Sequence, residues 1–131
     1  MVTGPTRRVC WSAVLGLLAL VLLPAIADAH AVLVRAVPPP RATLRVPPPR
    51  AQLWFSERLE PAYSTVSSWN EHAEVAAGKM AVSVDDSRLL SIELPSLPSG
   101  AYTVRYRVLS VDGHVVVGAY SFTVAGGTAG R

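Results

Sequence analysis

The chain has 131 residues, with 12 Lys and Arg against 9 Asp and Glu, a formal net charge of +3, and half of its residues hydrophobic. That length holds one small domain with one core; the cations are scattered and form no Lys/Arg stripe, so no nucleic-acid partner is expected. Cys10 is the only cysteine, so no disulfide framework can carry the fold.

At the N-terminus, Arg7 and Arg8 precede an apolar run from Val9 to Leu23, which ends at Pro24 and at small residues, Ala27-Asp-Ala29. This order of charge, apolar stretch and Ala-x-Ala site is that of a secretory signal peptide over residues 1–29, cleaved after Ala29. A membrane anchor would need roughly 20 uninterrupted apolar residues, so the mature form is not expected to span a membrane. The expected location is periplasmic or extracellular. Cleavage discards Cys10, Arg7, Arg8 and Asp28 and leaves ten basic and eight acidic residues, a nearly neutral chain that must stand on packing alone.

Beyond residue 30, runs alternating at a period of two predict strands at Val32–Arg35, Ala51–Ser56, Tyr63–Trp69, Met80–Val84, Leu89–Leu94, Ala101–Ser110 and Val115–Val124. In the sixth, Tyr102, Val104, Tyr106 and Val108 share the core face and Thr103, Arg105 and Arg107 the wet one. The prolines at 38–40 and 47–49 mark irregular connections, and 70–78, 85–88 and 95–100 read as turns. Seven short strands predict an all-β domain over 30–124, a two-sheet β-sandwich with Greek-key connections. Residues 125–131 read as a flexible tail.

Cleavage after Ala29 would make His30 the first residue and give it two donors within chelating range, the α-amine and the imidazole Nδ1. Unperturbed, these titrate near 7.7–8.0 and 6.5, so a metal can compete for both near neutral pH. Ser110-Val-Asp-Gly-His114 joins the two longest predicted strands. Its Asp-Gly pair predicts a two-residue hairpin turn with positive φ at both central positions. Asp112 and His114 would then add one oxygen and one nitrogen. An amine, two imidazoles and a carboxylate suit tetragonal Cu(II). Met80, the one methionine after cleavage, is read as packing and not as a Cu(I) ligand.

The start His30-Ala-Val-Leu-Val with Pro38, the segment Leu53-Trp-Phe-Ser-Glu57 followed by Leu59-Glu-Pro61, Leu97-Pro-Ser-Gly-Ala-Tyr-Thr-Val104, and Arg105 through His114 with Gly118 and Phe122 resemble the CopC family of periplasmic copper-resistance proteins. The resemblance spans essentially all of 30–124. It implies a seven-stranded Greek-key β-sandwich or barrel of immunoglobulin-like type, copper as the ion carried, and Cu(II) ligation by His30, Asp112 and His114. It also puts Glu57 beside the site, as a weak axial ligand or a partner that orients the ligands. A solvated strand-end glutamate is an equal alternative. The methionine-rich segment of better-known members is absent, and delivery to a membrane importer would need a separate chain.

His72, in the polar loop Trp69-Asn-Glu-His-Ala-Glu74, is read as solvated, with a third histidine ligand or part of a second metal site as its alternative. Arg35, Arg41, Arg45, Arg50 and Arg58 are read as a solvated face. The expectation is a monomeric, non-enzymatic copper carrier or buffer. The rivals are a metal-free immunoglobulin-like interaction module and a copper monooxygenase built on an N-terminal histidine.

Overall fold

The computed structural model describes residues 30–78 and 82–126. The expected signal peptide, its cleavage site, Cys10, Met80 and the end of the tail lie outside them. Eight strands follow in order: β1 (Leu33–Val37), β2 (Thr43–Leu44), β3 (Arg50–Phe55), β4 (Thr65–Trp69), β5 (Glu74–Gly78), β6 (Leu89–Glu93), β7 (Gly100–Leu109) and β8 (Val115–Val124). They form two sheets, β1-β3-β6 and β2-β8-β7-β4-β5. All pairings are antiparallel except β2 with β8. This is the expected all-β two-sheet sandwich.

Alternation places the core between the sheets. Ala51, Leu53 and Phe55 point inward from β3, and Leu90 and Ile92 from β6. They meet Val66 of β4, Tyr102, Val104 and Val108 of β7, and Tyr120, Phe122 and Val124 of β8. Adjacent Trp54 and Phe55 take opposite faces, as a regular strand requires. Phe55 is buried, while Trp54 lies outside with the Arg35 guanidinium 4.6 Å from its ring centre.

Four expectations change. Residues 74–78, read as part of a turn, form edge strand β5, and only 70–73 turn: the Asn70 side-chain oxygen accepts from the backbone N–H of His72 and Ala73 at 2.8 and 2.7 Å. Thr43–Leu44 pairs with Thr123 and Val124, so the described residues hold eight strands where seven were expected. Tyr63 does not open β4 but ends a 3-10 turn over Pro61–Tyr63, which the fixed φ of proline at its start favours. In place of a strand at 80–84, the described part has a single bridge from Val82 to Leu90, with the Ser83 N–H on the Leu89 carbonyl at 2.8 Å.

Candidate metal centre

β7 and β8 pair over their full ten residues, from Gly100↔Val124 to Leu109↔Val115, and the chain reverses through Ser110–His114. The Ser110 N–H donates to the His114 carbonyl and the Gly113 N–H to the Ser110 carbonyl, each at 2.9 Å. The loop is therefore Val111-Asp112-Gly113, three residues and not two. Gly113 alone in it has positive φ, 93°. That is the three-residue hairpin with glycine in its left-handed position, and it corrects the expected turn type while keeping its place.

Ser110 continues the inward series of β7 and is buried. Its hydroxyl donates to Oδ1 of Asp112. The same oxygen accepts from the His114 backbone N–H at 3.2 Å and lies 3.2 Å from His114 Nδ1. The Ser110 hydroxyl is the largest influence holding the Asp112 carboxyl below its ordinary value; desolvation opposes it, and the bonds and charge of His114 assist. The turn thus carries an ionised carboxylate already turned toward an imidazole.

His30 approaches from the other sheet, just ahead of β1. Ala31 is buried and anchors this arm, leaving His30 and Val32 exposed on either side. The Val32 N–H donates to Ser56 Oγ at 2.9 Å, and that hydroxyl donates to the His30 carbonyl at 3.4 Å. The Ser56 N–H in turn donates to the Val32 carbonyl at 2.8 Å. Held this way, the His30 ring lies against the His114 ring, centre to centre 4.8 Å, at 56°. Two imidazoles and a carboxylate from distant parts of the sequence therefore occupy one end of the sandwich. Among the described residues, no group of three or more His, Cys, Asp or Glu side chains stands in an arrangement that could hold a metal ion.

Glu57 is partly buried in the segment leaving β3, between Ser56, which holds the His30 arm, and Arg58, whose carbonyl accepts from the Val111 N–H at 3.0 Å. His72 is at the far end: Trp69, just before its turn, pairs with Thr103 near the start of β7, a strand of roughly 30 Å. It is not part of this cluster. Sequence reasoning gave Ser56 and Ser110 no role of their own. Ser110 had a signal, a hydroxyl at an inward strand position; Ser56 lay in the Phe-Ser-Glu segment that carries the family resemblance, with nothing there to give its hydroxyl a task.

The sequence pattern of the CopC domain matches residues 33–125, which takes in Glu57, Asp112 and His114 and begins three residues after His30. The chain is 28% identical over 120 residues to copper transport protein CutJ of Bacillus subtilis, a match covering 90% of this chain and 22% of that protein. It spans, then, about a fifth of CutJ's length. Two crystal structures are similar in fold. CopC from Methylosinus trichosporium OB3b has 36% identity and a TM-score of 0.68, covering 78% of this chain and all of the other. PcoC, a methionine-rich copper resistance protein from Escherichia coli, has 31% identity and a TM-score of 0.61, covering 74% and all, respectively.

Proposed function

This chain belongs to the CopC family, and from that premise we propose that it is an exported, non-enzymatic copper carrier or buffer that takes Cu(II) at His30, Asp112 and His114. One observation carries the reading: two histidines from distant parts of the sequence have their rings 4.8 Å apart. The donor chemistry supports it, since imidazole nitrogens and a carboxylate oxygen prefer Cu(II) to Cu(I). Removal of residues 1–29 would add the α-amine of His30 as a fourth donor on the same arm. Asp112, ionised through the working pH range, offsets the charge of the ion. Glu57 stands close enough in sequence to the Ser56 strap to serve as an axial or orienting carboxylate.

The ion is the cargo. The protein's part is to hold it outside the cytoplasm without redox turnover and to release it to a separate chain, such as a membrane copper transporter. No helix among the described residues is long and apolar enough to cross a membrane. The test compares the processed protein with a form carrying one extra residue before His30. The processed protein is expected to bind one Cu(II) with an electron paramagnetic resonance spectrum of nitrogen-rich, tetragonal ligation, and the extension to weaken binding by orders of magnitude. Equal affinity in the two forms rejects the N-terminal chelate. No binding in either leaves a metal-free interaction module.

A further inference from the structure

We propose that the segment Ser56–Glu60 is a splint that fixes the spacing between the two halves of the metal centre, with Ser56 as its positioning residue. The inference deepens the copper reading and rests on it. The segment leaves β3 on one sheet and reaches the β7–β8 turn of the other. At its start, the Ser56 hydroxyl and amide make three hydrogen bonds to the His30–Val32 arm, to Val32 N–H, His30 C=O and Val32 C=O. At its end, the Arg58 carbonyl accepts from Val111 N–H at 3.0 Å, Leu59 bridges to Ser110, and the Glu60 N–H donates to the Leu109 carbonyl at 2.8 Å. Five consecutive residues thus touch both ligand-bearing pieces, and buried Leu59 pins the middle into the core. Leu59 N–H is fastened to the Ser87 carbonyl and Phe55 N–H to the Arg88 carbonyl, at 2.8 and 2.9 Å, so the splint is also tied to the segment entering β6.

The backbone bonds at the turn end are independent of side-chain identity. The His30 end depends on one hydroxyl, which alone satisfies the Val32 N–H. Without it Ser56 keeps a single bond to the arm, its N–H to the Val32 C=O, and the placement of the His30 ring beside His114 is expected to loosen. Partners that orient metal ligands in this way are typically worth about 10–100-fold in metal affinity.

The experiment uses the processed protein with Ser56→Ala and Ser56→Thr. Both retain the Ser56 amide bond, and the threonine retains the hydroxyl. In Ser56→Ala, Cu(II) is expected to pass to excess EDTA about tenfold faster than in the parent, and the resonance spectrum to broaden into a mixture with a second, His30-detached species. Ser56→Thr is expected to restore both the single species and the slow release. A parent-like spectrum and release rate in Ser56→Ala overturns the splint. Amide hydrogen exchange in the copper-free parent gives an arm that needs no variant: Val32 N–H is expected to be protected, and exchange at the unprotected rate also overturns it. Failure of the parent to bind Cu(II) through His30 rejects the functional reading instead, and the exchange arm still decides the splint.

Discussion

A hydroxyl one residue outside a hairpin loop decides how an acid in that loop titrates. Ser110 is buried where its Oγ can reach only the turn it closes, and it donates to the Asp112 carboxylate. The folded carboxyl therefore titrates below its ordinary value of 3.8. By linkage, the stability this confers is present above that value and is lost as pH falls through the lower folded one. Carboxyl NMR titration of the copper-free protein is expected to give an Asp112 midpoint below 3.8, and Ser110→Ala to move it up and start acid unfolding at a higher pH. An unmoved midpoint would mean that the His114 contacts suffice. At this scale His30, Asp112 and His114 can be proposed as donors from sequence because a donor atom belongs to the residue type itself. The tasks of Ser56 and Ser110 are not, because a hydroxyl's role depends on what the fold places within 3 Å of it.

Strands with one core face announce themselves by alternation, and β3, β7 and β8 lie close to where that pattern puts them. β5, with the sequence Glu-Val-Ala-Ala-Gly, has no such face, and β2 is too short to have a period. Both are edge strands held by backbone pairing, which is indifferent to side-chain type, so nothing in their residues reveals them. Pairing also explains Gly118. It stands opposite Tyr106 in the β7–β8 ladder, and a methyl group there would come within 2.2 Å of the tyrosine oxygen and 2.4 Å of Cζ. Tyr106 packs edge-on against buried Phe55, 5.3 Å between centres, so its ring cannot withdraw without disturbing the core. Gly118→Ala is expected to destabilise the domain by about 1–3 kcal/mol, the range for overpacking a filled site, read as a lower urea midpoint. An unchanged midpoint would show that Tyr106 moves at no cost.

Across the whole sandwich, the interface between sheets is apolar apart from a few hydroxyls, and two of them, Ser68 Oγ and Tyr120 Oη, are buried with no hydrogen-bond partner among the described residues. Burial, with Tyr106 as a like-charged neighbour, pushes the Tyr120 phenol far above its ordinary 10.0. Its raised value means that the associated stability is complete below pH 10 and declines as pH rises beyond it. Tyr120→Phe is expected to match or exceed the parent at pH 7, by up to about 1–3 kcal/mol, because it deletes a buried group that no bond satisfies. It should also melt later than the parent above pH 10. A less stable variant at neutral pH would reveal a partner for the hydroxyl. The two sheets matter in another way, because His30 precedes the outer strand of one while Asp112 and His114 belong to the longest hairpin of the other. An ion gripped by all three, as proposed, would latch the layers together, and its escape would be a mechanical event as much as a chemical one. A receiving protein that pries the leading strand from the hairpin would unload the cargo without competing for it ligand by ligand.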